Sequence, residues 1–175
     1  MESLLTEAFL STLLFGAVTA GVPLMFAGLG EQISEKAGVL NIGIEGMMLF
    51  GAYTGFVAAY YSGSFWLGFL AGGIGGMAVA LLMAVLCIRL GLNQIVIGIA
   101  LTLGAEGLTA LLHYFQFSST YPRLSQAPVF PIPGLSGLPV VGRALFSHNP
   151  LVYLVVLLAI GLTWLFRRSN IGLNL

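Results

Sequence analysis

Two carboxylates, Glu45 and Glu106, each stand inside a long run of residues that carries no other charge. A charged side chain at the centre of a membrane-spanning helix costs roughly 2.5–3.5 kcal/mol on insertion scales, and such groups usually face a protein interior or a water-filled path. Glu106 therefore has two readings: a ligand-facing acceptor along a path, or a buried group hydrogen-bonded to a neighbouring helix. Glu45 follows Asn41 by four residues, which puts both on one helix face. It can serve the same path, or it can be a helix-start carboxylate favoured by the positive end of the helix dipole. Asn93 and Gln94 open the run that contains Glu106 and add neutral hydrogen-bonding groups. Asn41, Glu45, Asn93, Gln94 and Glu106 are thus the candidates for lining a polar path.

Catalytic chemistry finds less support. Gly134-Leu135-Ser136-Gly137 has the Gly-x-Ser-Gly form of an intramembrane serine protease, and His113 and His148 are the only histidines that could act as base. That serine lies among prolines, where no helix would bury it or exclude water. There is no His-Glu-x-x-His and no phosphate-binding Gly-x-x-x-x-Gly-Lys-Ser/Thr, so a zinc protease and a nucleotide-binding loop are both excluded. Cys87 is the single cysteine, which rules out a disulfide framework and a multi-cysteine metal site. No metal site and no cofactor are expected in this chain.

The elements that hold these residues follow from composition. Six acidic and six basic residues among 175, 58% hydrophobic residues and a mean hydropathy of +1.02 cannot cover a water-facing surface, since soluble domains give about 25% of their residues to charge. A disordered chain is excluded by the same figures, and zero net charge without a basic stripe excludes a nucleic-acid binder. The chain reads as an all-α integral membrane protein, a polytopic helix bundle in contact with lipid.

A spanning helix needs about 20 mostly apolar residues. That length predicts about five spans, over 8–30, 40–60, 65–88, 94–115 and 149–166. Tyr60, Tyr61 and Trp66 suit a membrane–water boundary between the second and third. Residues 117–150 hold Pro122, Pro128, Pro131, Pro133, Pro139 and Pro150, so they form a loop with at most short helical turns. Gly51 and Gly55 in the second span, and Gly68, Gly72 and Gly76 in the third, recur at the small-xxx-small spacing that lets helix backbones approach. Placing Lys36, Arg89, Arg167 and Arg168 on the cytoplasmic side, and Arg123 and Arg143 outside, satisfies the positive-inside tendency. The N-terminus is then outside and the C-terminus inside. Cys87 is expected near the inner face, slow to react with an impermeant maleimide in intact cells. The acidic start, Met1 to Glu7, lacks the basic region of a signal peptide.

One segment is specific: Gly30, Glu31, Ser34, Glu35, Lys36, Gly38, Asn41, Gly43, Glu45 and Gly46 lie in the order GEQISEKAGVLNIGIEGMM. It closely resembles the signature of bacterial ABC-importer permeases serving nucleosides and simple sugars, with Lys36 where arginine is usual. Leu92 to Gly98 and Arg167 to Leu173 resemble two further landmarks of that family, and the likeness covers essentially the whole chain. The resemblance implies a single transmembrane permease domain over 1–175, C-terminally incomplete, in the bacterial plasma membrane. It implies a second permease subunit, identical or homologous, a cytoplasmic ATPase that binds ATP and magnesium, and an extracytoplasmic substrate-binding lipoprotein or periplasmic protein. The chain itself would be no enzyme. Nucleoside uptake by alternating access is the expected function, with a simple sugar or another small polar metabolite as the alternative. An intramembrane serine protease and a non-transporting scaffold are the remote rivals.

Overall fold

The computed structural model describes residues 2–118, 120, 122–124, 128–134, 136 and 141–168. Helices dominate: α1 (Glu2–Lys36), α2 (Ile44–Ser62), α3 (Phe65–Ala84), α4 (Gln94–Phe117), α5 (Val141–Phe146) and α6 (Pro150–Arg168), with β1 (Phe130–Pro131) and β2 (Ser147–His148) forming a short antiparallel pair. Among the described residues four helices are long and apolar enough to cross a membrane, within Glu7–Lys36, Phe65–Arg89, Gln94–Phe117 and Pro150–Arg168. The expected second span, α2, has 19 residues and so the length, but Glu45, Thr54 and three tyrosines dilute its apolar character.

Helix ends differ from the expected boundaries for local reasons. The first span, expected over 8–30, belongs to a helix that continues through Glu31 to Lys36, because Glu, Gln and Lys are good helix formers. It stops at Gly38, whose φ of +79° places it in the left-handed region. There the Gly38 N–H donates to Glu35 O (3.0 Å) and Val39 N–H to Ser34 O (2.9 Å), a glycine-type C-terminal cap. The second span, expected from residue 40, starts at Ile44 after this turn. The third ends in a π-helical turn, Val85–Arg89, in which Leu90 N–H donates five residues back to Val85 O at 3.1 Å. Asn93 caps α4, its Oδ1 accepting from Ile95 N (2.9 Å) and Val96 N (3.3 Å), which satisfies donors the helix cannot. Within 117–150 the described residues include α5 and the β1–β2 pair as well as loop.

The chain divides into two compact units, Ser34–Gln126 and Met1–Ile33 with Ala127–Leu175. In the first, α2 lies against α3 backbone to backbone. A Cβ added at Gly51 would stand 2.9 Å from Gly72 O, one at Gly55 2.9 Å from Gly68 O, and one at Gly76 3.3 Å from Met47 O. Thr54 closes the same seam, its hydroxyl within reach of Phe50 O (3.0 Å) and Gly51 O (3.1 Å) in its own helix and of Ala71 O (3.2 Å) in α3.

In the second unit, Val22, Val152 and Val155 form a small core, with Val18, Phe26 and Leu29 packed on it. Positions 18, 22, 26 and 29 recur at helical spacing, so they make one stripe of α1. His148 is 1% exposed. Its Nε2 bonds Ala144 O at 2.7 Å and its ring stacks on Phe15 with centroids 4.5 Å apart.

Candidate functional site

The site grows from one face of α4. Gly98, Thr102, Glu106, Thr109 and His113 follow each other at steps of three or four residues, so they line a single side of the helix. Gly46 of α2 meets that face closely: a Cβ there would stand 2.8 Å from Thr102 Cα and 3.0 Å from Leu101 O. Gly98 sits equally tightly, its added Cβ 2.9 Å from Gly43 N. Beyond this crossing the two helices leave a groove of about 520 Å³, lined by Leu49, Ala52, Tyr53 and Phe56 of α2, by Glu106, Thr109, Ala110 and His113 of α4, and by Pro122. Aromatic rings close its far end, with Phe117 against Phe56 (5.7 Å), Tyr60 (5.4 Å) and His113 (5.0 Å). Tyr53 donates its O–H to Gln116 Oε1 at 2.7 Å across the same end.

The groove is mostly apolar with a few polar groups, which is the usual make-up of a small-molecule site, and its volume lies in the usual range of about 300–1,000 Å³. Thr109 is buried and spends its hydroxyl on Ala105 O at 2.7 Å. Thr102, nearer the crossing, has its hydroxyl oxygen enclosed with no hydrogen-bond partner. Among the described residues no group of three or more His, Cys, Asp or Glu side chains could hold a metal ion.

The five path candidates do not form one cluster. Glu106 lines the groove. Gln94 lies twelve residues earlier on α4, about 18 Å along the axis at 1.5 Å per residue, where its Oε1 accepts from Leu40 N–H at 2.8 Å. Asn93 is engaged as the helix cap. Asn41 donates from Nδ2 to Met47 Sδ at 3.4 Å, in the turn ahead of α2, and Glu45 is exposed in the first turn of α2. Tyr53, Phe56, Thr109 and His113 complete the groove without having been marked for it. The α4 members could have been found by stepping along the helix from Glu106; Tyr53 and Phe56 had no such signal.

His148, a candidate base, is buried and bonded to a backbone carbonyl, so its Nε2 is not available to a nucleophile. Ser136 holds its place in a turn, its N–H donating to Ile132 O at 3.1 Å; Leu135 and Gly137 of the same motif lie outside the described residues, as does the Ser169 to Leu173 part of the last landmark.

Four long apolar helices among the described residues define a multi-pass integral membrane protein, in which a glycine seam joins α2 to α3 and a groove with a carboxylate lies between α2 and α4. The chain belongs to the family described as branched-chain amino acid transport system / permease component, which it matches over residues 13–175. A protein of Haloferax volcanii, provisionally named a glucose ABC transporter permease, is 47% identical over 174 residues, covering 96% of this chain and 51% of the relative. The guanosine ABC transporter permease protein of Bacillus subtilis is 31% identical over 89% of this chain and 50% of its own length. The nucleoside ABC transporter permease protein of Lactococcus lactis is 32% identical over 87% of this chain and 51% of its own. The chain thus spans about half the length of the curated relatives it matches. No solved structure gives a significant match.

Proposed function

We propose that this chain is the membrane-spanning part of a permease subunit in an ATP-driven importer, and that it carries nucleosides. The observation that carries the reading is the α2–α4 groove: a single carboxylate, Glu106, among the rings of Tyr53, Phe56 and His113. A nucleoside offers a flat base to the rings and ribose hydroxyls to the carboxylate. A second reading, a simple sugar, is favoured by the 47% identity to the relative named for glucose. The family and its relatives' names support a machine in which a second permease subunit completes the path. A partner ATPase binds ATP and magnesium, and an extracytoplasmic binding protein delivers the ligand. This chain supplies the path and no ATPase site, and alternating access is driven from outside it.

Uptake of radiolabelled guanosine, uridine, ribose and glucose, in cells with and without the full-length gene, tests the reading. Loss of nucleoside entry alone is the expected result. Loss of sugar entry alone moves the ligand to the second reading, and no change in any of the four overturns the importer.

The proposed orientation, N-terminus out and C-terminus in, needs a better reporter than Cys87. That thiol is 7% exposed in the π turn, so it labels slowly from either side. Leu90, next to the turn, is 62% exposed. In a Cys87→Ser background, Leu90→Cys should resist an impermeant maleimide in intact cells and react once the cells are opened. Equal labelling before and after opening would reverse the topology.

A further inference from the structure

We infer that Glu106 reads a pair of neighbouring hydroxyls on an uncharged ligand, so that the groove favours ribonucleosides and unmodified sugars over deoxy analogues, phosphorylated derivatives and free amino acids. The inference rests on the groove being the ligand path, as proposed above.

The argument is one of hydrogen-bond capacity. Among the described residues four polar side chains line the groove: Tyr53, Glu106, Thr109 and His113. Tyr53 gives its proton to Gln116 and Thr109 gives its own to Ala105. The His113 ring is tilted 45° against Phe117 at the closed end. Among the described residues nothing bonds the Glu106 carboxylate. An ionised carboxylate only accepts, through two oxygens, so its natural ligand brings two donors at the spacing of those oxygens. Hydroxyls on adjacent carbons have that spacing, and hydrogen bonds to an ionised acceptor are the strong ones.

The same carboxylate makes the groove selective by charge. Among the described residues no lysine or arginine lines it; Arg123, next to Pro122, is exposed and is not a lining residue. A phosphate or a free carboxylate entering the groove would come close to the like charge of Glu106, which is exposed there, and like charges repel. A ligand lacking one hydroxyl leaves an acceptor unpaired, and sites built around a hydroxyl reject such analogues strongly. Leu49, Ala52, Phe56 and Ala110 leave the remaining walls apolar and indifferent to the rest of the ligand. The groove's selectivity therefore differs from what the amino-acid transport description of the family describes: among the described residues an amino acid's carboxylate has no lysine or arginine partner here.

The test uses the full-length permease with its partner subunits, in cells lacking other nucleoside uptake. The readout is the ratio of uridine to 2′-deoxyuridine entry, compared between wild type, Glu106→Gln and Glu106→Asp. A binding protein contributes its own preference to every strain equally, so the change in ratio isolates the permease. The ratio should fall about ten-fold in Glu106→Gln, the cost of one lost hydrogen bond in a tuned site, and persist in Glu106→Asp. Uridine monophosphate should compete in the Gln variant and not in wild type. An unchanged ratio in Glu106→Gln with normal uridine entry overturns the diol reading and leaves the permease standing. No entry of any nucleoside or sugar in wild type overturns the permease reading itself. If neither variant reaches the membrane, thermal melting of the purified full-length wild-type permease decides: uridine should raise the midpoint more than 2′-deoxyuridine, and equal shifts overturn the inference.

Discussion

Gly55→Val should leave little folded protein in the membrane, while Gly73→Ala, on the facing helix, should be neutral or slightly stabilising. A Cβ at Gly55 would stand 2.9 Å from Gly68 O, 3.3 Å from Gly72 Cα and 3.5 Å from Gly72 N, all backbone atoms that no rotamer change can move aside. Overpacking a filled site costs about 1–3 kcal/mol and more where the backbone must shift. Lipid offers no hydrophobic force to press the helices back together, so the close approach is itself what holds α2 to α3. Gly73 has nothing within 4 Å of its added Cβ, and alanine in a helix interior gains up to about 1 kcal/mol over glycine. Membrane abundance and the melting midpoint in mild detergent measure both. Equal behaviour of the two variants would show that the glycine seam is not what binds these helices.

The second large effect belongs to Gly46→Val. Its Cβ would stand 2.8 Å from Thr102 Cα and 3.1 Å from Thr102 N, so α2 must lift away from α4 at the one place where they meet closely. The groove beyond that crossing loses its shape. Uptake by the protein that still reaches the membrane should fall at least about ten-fold, and its melting midpoint should drop by several degrees, as expected for a loss of 1–3 kcal/mol. Gly104→Ala, on α4 with nothing within 4 Å of its added Cβ, is the control and should transport normally. Normal uptake by Gly46→Val, per molecule in the membrane, would separate the groove from transport.

The extent of the helical part could be read from the chain because long apolar runs are rare outside membranes and proline interrupts them. The start of α4 fell where expected, at Gln94, since Asn93 is a capping residue at a sharp change from turn to apolar run. The end of α1 did not, because charge at Glu31, Glu35 and Lys36 marks where lipid stops and says nothing about where a hydrogen-bonded ladder stops. The start of α2 was misplaced for the converse reason. Leu40 and Ile42 are apolar enough for a span, yet they sit in a turn anchored by Gly38 and by the Gln94 bond to Leu40 N–H. The π turn at Val85–Arg89 left no mark, since a shift from four- to five-residue bonding changes no residue type. Of the groove, Glu106 was conspicuous because its charge is out of place. Tyr53 and Phe56 were not, because they matter only once α2 is known to face α4, and a single chain's periodicity does not pair its helices. Asn93 and Gln94 were conspicuous as polar groups, but their polarity is taken up by the backbone.

The seam between α2 and α3 also sets how this unit can flex. Glycine contacts and the Thr54 hydroxyl tie α2 to α3 along several turns, so the pair behaves as one stiff arm. Against α4 it has a single tight crossing, at Gly43 and Gly46. Such a layout works like a pair of tongs with its fulcrum at that crossing. A small rotation there is magnified at the tips, where Phe56 and Tyr60 rest on Phe117 and Tyr53 holds Gln116. Widening the groove therefore strains three weak, reversible contacts at the tips and leaves the stiff arm untouched.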